Sequence, residues 1–69
     1  MENTSGAFQV GYCYQKGIGT KKDLKKAFEL YLKSAKLNHI DGIKNVGYCY
    51  RNGIGTKKDL KEADYWFRM

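Results

Sequence analysis

The chain repeats itself once, and this repetition constrains its fold more than any other feature of the sequence. Residues 11–25 and 47–61 are the same stretch, 36 positions apart, and differ at only two positions. Aligning residues 6–33 with 42–69 gives 16 identities in 28 positions. A fixed period of roughly 20–50 residues is typical of proteins in which one structural unit stacks on the next. The expected fold is therefore a short array of stacked units.

Hydrophobic periodicity divides each unit into two helices joined by a glycine-containing turn. The predicted helices span about residues 6–16, 24–37, 42–52 and 60 onward. Gly17 and Gly53 suit the left-handed position that ends a helix. Three aspartates suit the N-cap position at which the following helix begins: Asp23, Asp41 and Asp59. The sequence thus predicts an all-α fold, an α-solenoid of antiparallel helix–turn–helix repeats with a 36-residue period.

The period also predicts how the chain is divided. Residues 1–5 form a disordered lead-in, residues 6–41 the first repeat and residues 42–69 the second, whose last helix is short. Apolar residues of the second helix cover a wide arc, which indicates packing on more than one neighbour. Gly11 and Gly47 lie inside helices, where glycine costs roughly 1 kcal/mol relative to alanine. We therefore expect a backbone to approach closely at both positions.

Length and composition narrow the class of protein. The 69-residue chain has no proline, and it has no apolar run of the ~18 residues that a membrane-spanning helix needs. Its first residues lack the basic start and apolar core of a secretion signal. We expect one small cytoplasmic domain with no transmembrane segment. The net charge of +6 permits an acidic partner, a nucleic acid or an anionic membrane surface without requiring any of them.

The two cysteines are predicted to be reduced thiols that act as small apolar residues. Cys13 and Cys49 occupy equivalent positions in the two repeats, so their Cα atoms should lie about one helix spacing apart, on the order of 10 Å. A disulfide needs roughly 4.4–6.8 Å. Together with the lone His39 they do not form a zinc site, and no metal or cofactor is expected.

The order of glycine, tyrosine, aspartate and alanine residues in each copy resembles the Sel-one-like repeat, a relative of the tetratricopeptide repeat with a longer turn between its helices. The matching positions in the first copy are Val10, Gly11, Tyr14, Gly17, Gly19, Asp23, Lys26, Ala27, Tyr31, Lys33 and Ala35. Those in the second copy are Val46, Gly47, Tyr50, Gly53, Gly55, Asp59, Ala63, Trp66 and Phe67. The resemblance implies a non-catalytic adaptor or scaffold whose partner is a protein or peptide, with no small-molecule substrate.

The outer side of each repeat's first helix carries the candidate partner-binding residues. In tetratricopeptide-like solenoids this helix lines the concave surface, which is the usual binding face. The candidates are Phe8, Gln9, Tyr12, Lys44, Asn45 and Tyr48. Exposed aromatic side chains beside amides and a lysine suit a peptide-binding groove. The alternative for Tyr12 and Tyr48 is simple packing on the neighbouring repeat, while Tyr14, Tyr31, Tyr50, Trp66 and Phe67 are predicted to lie in the core.

The glycine-rich loop suggests phosphate binding, and a set of lysines suggests binding to an anionic partner. The loop at residues 17–22 lacks the third glycine of a dinucleotide loop and the Gly-Lys-Ser/Thr of a Walker motif, and no strand precedes it. No catalytic set of residues is visible, so enzyme activity is not expected. The lysines form a basic ridge: Lys21, Lys22, Lys25, Lys26, Lys57, Lys58 and Lys61. This ridge is either a solvated face or, as the alternative function, a surface that binds nucleic acid or anionic membrane.

Stability gives a last expectation. A repeat buries its apolar face on its neighbours, so about three or more copies are normally needed. Fewer than two full copies are present here, and a chain this small has a free energy of folding near zero. We therefore expect the isolated chain to be marginally stable, to self-associate, or to continue in a longer repeat array.

Overall fold

The computed structural model describes residues 4–68, which form four α-helices and contain no β-strand. The helices are α1 (Thr4–Lys16), α2 (Leu24–Lys36), α3 (Ile40–Asn52) and α4 (Leu60–Phe67). The first repeat is α1 with α2, and the second is α3 with α4. None of the four described helices is long and apolar enough to cross a membrane.

Helix α1 begins two residues earlier than predicted, at Thr4 rather than Gly6. Its counterpart α3 begins at Ile40, so the two starting points are separated by the same 36 residues as the sequence repeat. Residues 1–3 of the predicted lead-in lie outside the described residues.

The turns inside the two repeats have the same backbone hydrogen bonds. Gly53 ends α3 with a φ of 69°, and the next amide, that of Ile54, donates to the Cys49 carbonyl at 2.9 Å. The Asp59 amide donates to the Tyr50 carbonyl at 2.8 Å, and the Asp59 carboxylate accepts from the Lys61 and Glu62 amides that open α4. The first turn repeats this arrangement, with Asp23 capping α2. The predicted caps at Asp23 and Asp59 are confirmed.

The predicted cap at Asp41 is wrong. The turn between the repeats is tighter than expected, because Asn38 adopts a left-handed conformation with a φ of 64° and the His39 amide donates back to the Ser34 carbonyl at 3.1 Å. Helix α3 therefore starts at Ile40, with His39 at the N-cap and no side-chain cap bond. Asp41 lies in the first turn of α3, where its negative charge favours the helix dipole.

Helix α2 is the centre of the structure. It packs on α1 on one side and on α3 on the other, which confirms the expectation from its wide apolar arc. The buried core consists of Ala27, Phe28, Tyr31, Ala35, Val46 and Cys49. Two of its polar groups are paired: the Tyr31 hydroxyl donates to Gln15 Oε1 at 2.5 Å, and Ser34 Oγ donates to the Tyr31 carbonyl at 2.9 Å. The buried Trp66 Nε1, beside the core, has no hydrogen-bond partner among the described residues.

Gly11 and Gly47 are sites of close approach, as predicted, but the group that comes closest at both is an aromatic side chain and not a backbone. A Cβ atom on Gly11 would lie 3.0 Å from Cε1 of Tyr31, and one on Gly47 would lie 2.6 Å from Cε1 of Phe67. In each repeat the aromatic ring of the second helix thus rests on the backbone of the first helix. This contact sets the distance between the two helices of a repeat.

Candidate partner-binding surface

A groove on α1 brings together the three candidate residues of the first repeat. Phe8, Gln9, Tyr12 and Cys13 line a cavity of about 400 Å³. Gln9 is exposed, and Tyr12 is 45 % exposed with Lys16 Nζ 5.9 Å from its ring centroid. Phe8 does not point fully outward: it is half-buried, with its ring 5.4 Å from Tyr31 and 5.1 Å from His39. Phe8 therefore forms the wall of the groove, and Tyr12 offers the contact surface.

A second groove lies between α3 and α4. Its volume is about 330 Å³, and it is lined by Ile40, Ile43, Lys44, Tyr48, Trp66 and Phe67. Tyr48 is 49 % exposed and meets Phe67 edge-to-face at 5.5 Å. Isoleucine side chains and aromatic rings supply the apolar part of the lining, and Lys44, an exposed lysine, places a positive charge at the groove. Asn45, the remaining candidate, is half-buried and lines neither of these two grooves.

Sequence reasoning missed four residues of the second groove. Ile40 and Ile43 received no role, and Trp66 and Phe67 were predicted to lie in the core. Trp66 is half-buried against the core and also lines the groove, but Phe67 is 42 % exposed, so its assignment to the core is wrong. Helical periodicity identifies the side of α4 that faces inward, whereas exposure depends on what covers that side. The one available signal was the apolar pair at positions 40 and 43.

Burial raises the pKa of the core thiol and of two phenols further above neutral pH. Burial raises the pKa of Cys49 from 9.0 to about 11. Burial, helped by the nearby Cys49, Tyr12 and Cys13, raises the pKa of Tyr31 from 10.0 to about 12. The pKa of Tyr50 is also raised, by burial first and then by Glu62 and Asp59. Cys49 is therefore a packing residue and not a thiolate nucleophile.

Both thiols are free, and Cys13 is half-buried where Cys49 is buried. Across residues 4–68, no three histidine, cysteine, aspartate or glutamate side chains are grouped so as to hold a metal ion.

Every lysine of the basic ridge is exposed to solvent. None of these lysines lines either of the two grooves described above. Lys26 contacts Tyr14, with Nζ 5.7 Å from the ring centroid, and the Asp23 and Asp59 carboxylates sit at the N-termini of α2 and α4 beside the ridge. This placement is that of a solvated face and gives no support to the nucleic-acid or membrane alternative.

Comparison with known proteins gives a consistent result. The family model of the Sel1 repeat, the Sel-one-like repeat of the sequence analysis, matches residues 4–39 and 40–69. The chain is 41% identical to a Sel1 repeat protein from Oxalobacter formigenes, with a TM-score of 0.93, over 96% of this chain and 27% of that one. It is 37% identical to Helicobacter pylori cysteine rich protein B, with a TM-score of 0.92, over 94% of this chain and 49% of that one. It thus spans about a quarter and about half of the two solved chains. No curated protein matches it significantly.

Proposed function

Because the chain belongs to the Sel1 repeat family, we propose that it is a protein-interaction module that binds a peptide segment of its partner across the outer sides of α1 and α3. Repeats of this family generally mediate protein–protein contacts and are generally not enzymes. What we propose for this chain in particular is the binding face and a peptide as its ligand.

One observation supports the proposal: Tyr12 and Tyr48, two of the exposed tyrosines, occupy equivalent positions in the repeats and each lines a groove. Tyr12 and Tyr48 are separated by the 36-residue period and are about half exposed. A half-exposed tyrosine offers a rigid apolar ring and a hydroxyl at low entropic cost, and such residues dominate binding energies at interfaces. Their spacing by one repeat suits a peptide that places apolar side chains in both grooves.

The two grooves differ in the peptide side chains that they favour. The groove on α1 includes the neutral Gln9, whereas the groove between α3 and α4 includes Lys44. We expect the segment of the peptide beside α3 to combine apolar side chains with a carboxylate. The six residues predicted from sequence and the four additional residues of the second groove together form the proposed surface.

The experiment selects peptides from a random phage-displayed library on the immobilised chain, then measures their affinity for purified variants. The double variant Tyr12→Ala with Tyr48→Ala should weaken binding by at least about tenfold, because it removes both aromatic contacts. Tyr65→Ala is the matched control, since Tyr65 is an exposed tyrosine on α4 that lines neither groove. That variant should bind within about twofold of the original chain.

Trp66 provides a readout at the site. It is the only tryptophan of the sequence and lines the second groove, so peptide binding there should shift its fluorescence. Binding should change little between about 50 and 200 mM salt, whereas a nucleic-acid contact would weaken steeply over that range. Unchanged affinity in the double variant, or a failure to select any peptide, would refute the proposed face.

A further inference from the structure

Some residues that are identical in the two repeats are buried in the second repeat and exposed in the first, on the side of α1 that lies away from the second repeat. Val46 is 0% exposed and Ile54 packs against the core, whereas their counterparts Val10 and Ile18 are 48% and 54% exposed. The difference arises because α2 covers α3 and the turn after it, and no described helix covers α1 in the same way. Four residues mark this uncovered surface, here called the N-terminal face: Val10, Tyr14, Ile18 and Gly19.

The interface inside the chain shows what this face is shaped to receive. Gly55 lies against the carbonyl of Leu24 and against Phe28, so closely that a Cβ at Gly55 would collide with both. The Phe28 ring meets Tyr50 edge-to-face at 5.3 Å. Gly19 has nearly the same φ as Gly55, 72° against 71°, and nothing within 4 Å of the place where its Cβ would lie. The N-terminal face therefore has the same shape as the surface of α3 and its turn that contacts α2, but no described helix packs on it.

The opposite end of the stack presents the matching helix with one change of chemistry. On α4, Leu60 stands where α2 has Leu24 and is 62% exposed. Asp64 stands where α2 has Phe28, and it pairs with Arg68, whose Nε lies 3.1 Å from Oδ2. This surface of Leu60, Asp64 and Arg68 is here called the C-terminal face. If it packed as α2 does, Asp64 would meet a tyrosine.

A second difference between the repeats makes that contact favourable. In the existing interface Phe28 meets Tyr50, whose pKa is raised first by burial and then by the neighbouring carboxylates of Glu62 and Asp59. The residue equivalent to Glu62 in the first repeat is Lys26, and its Nζ lies 5.7 Å from the ring centroid of Tyr14. A carboxylate arriving at Tyr14 would thus meet an ammonium group, whereas the same carboxylate at Tyr50 would meet Glu62. Between the repeats, Lys26 is replaced by Glu62 and Phe28 by Asp64. A contact between the two faces would therefore place the Asp64 carboxylate beside the Lys26 ammonium group, which is the charge complementarity expected across an interface.

We propose that the N-terminal face binds the C-terminal face of a second copy of this chain, so that copies associate head-to-tail. Leu60 of one copy then lies against Gly19 of the next, and Asp64 lies between Tyr14 and Lys26. Such a contact is heterologous and leaves one free face at each end, so association is open-ended and rises with concentration. The interface is smaller than the one inside the chain, because α4 has 8 residues where α2 has 13.

The assembly contact and the proposed peptide surface meet at one edge of the groove on α1. Cys13, which lines the groove on α1, is the counterpart of the buried Cys49, so a second copy on the N-terminal face covers that edge of the groove. The groove between α3 and α4 is not lined by Leu60, Asp64 or Arg68. Asp64→Lys and Lys26→Glu change no residue of either groove, so different variants test self-association and peptide binding, and each proposal can fail without the other.

Sedimentation velocity on the purified chain, from about 5 to 500 µM, tests the proposal. The weight-average mass should rise from the 7.9 kDa of one chain through dimers to longer oligomers. Asp64→Lys and Lys26→Glu should each weaken association by at least about tenfold, and the double variant should restore it. Lys25→Glu makes the same charge change at a neighbouring exposed lysine, and should leave association within about twofold. Circular dichroism confirms that each variant is folded.

A mixing experiment separates head-to-tail contact from a two-fold contact. Ile18→Asp blocks the N-terminal face at an exposed position, and Asp64→Lys blocks the C-terminal face. Each variant alone should be monomeric, and an equal mixture should form one-to-one dimers and nothing larger. A chain that is monomeric at every concentration, a mixture that stays monomeric, or dimers of Asp64→Lys alone would overturn the proposal.

Discussion

Cys13 and Cys49 are the same residue at the same place in two repeats, yet one is half-buried and the other buried in the core. Val10 and Val46 differ in the same way. At the scale of single residues, the environment is set by the neighbouring helix and not by the residue type. The raised pKa values of Cys49 and Tyr31 follow from this burial, because a buried site disfavours the charged thiolate or phenolate.

These pKa shifts predict that the folded chain loses stability at high pH. The folded state holds the Cys49 proton up to about pH 11, whereas the unfolded chain loses it near 9.0, so this contribution is complete below 9.0 and is lost towards 11. Tyr31 adds a loss between 10.0 and about 12. The free energy of unfolding, measured by urea titration at a series of pH values, should be flat from neutral pH to about pH 8.5 and then fall by on the order of 2 kcal/mol per group.

Cys49→Ala tests the assignment of the first part of that fall. The variant is less stable at neutral pH because the substitution leaves a small cavity. The quantity to compare is therefore the slope of the free energy of unfolding against pH. Its stability should stay flat to a higher pH than that of the original chain. An unchanged onset would show that Cys49 does not control the alkaline transition.

A matched pair of glycines separates backbone strain from close packing. Gly19 and Gly55 have nearly the same positive φ, but only Gly55 lies against α2. Gly19→Ala should cost about 1 kcal/mol of stability, the penalty of a left-handed side chain. Gly55→Ala should cost about 3 kcal/mol or more, because the methyl group also collides with the backbone of Leu24. Thermal unfolding measures both, and equal losses would contradict the close contact.

At the scale of elements, the turns within the repeats are specified by a short local pattern. A left-handed glycine ends the first helix, and an aspartate begins the second, in both copies. The turn between the repeats follows another rule, since Asn38 takes the left-handed position and α3 begins without a side-chain cap. The aspartate pattern therefore predicts the starts of α2 and α4 and fails for α3.

Two aspartate variants measure this difference. Asp59 accepts hydrogen bonds from two amides at the start of α4, so Asp59→Ala should reduce stability by about 1 kcal/mol. Asp41 interacts with its helix only through the dipole, so Asp41→Ala should cost about 0.3–0.5 kcal/mol. Urea unfolding of the two variants checks the order. A larger loss for Asp41→Ala would restore the cap that the sequence suggested.

At the scale of the whole molecule, stability depends on the packing of α2 against α3, in addition to the packing inside each repeat. Both faces of α2 are covered, whereas α1 and α4 each have an apolar side exposed. The prediction that the isolated chain is marginally stable or self-associates stays a prediction. It agrees with the exposed Val10, Ile18 and Leu60 at the two ends.

The equivalent isoleucines test how much that one interface contributes. Ile54 packs against the core across the repeat boundary, and Ile54→Ala should cost about 2 kcal/mol. Ile18 is 54% exposed, and Ile18→Ala should change the stability of the dilute monomer by less than about 0.5 kcal/mol. Equal effects of the two substitutions on chemical denaturation would mean that the repeats do not unfold as one cooperative unit.

The sequence alone determined the period, the four helices and the caps at Asp23 and Asp59. The period is a repetition of the sequence itself, the helices follow from the spacing of apolar residues, and each cap depends on residues within about one helical turn. It also determined the close approach at Gly11 and Gly47. For the candidate surface it identified the exposed positions Tyr12 and Tyr48, but it placed Phe67 in the core. Only the tertiary structure decided which of two identical residues is covered, as for Val10 and Val46 or Gly19 and Gly55. The physical reason is that burial belongs to the pair of packed helices, and equivalent residues of a repeat differ when only one of them has a neighbouring helix.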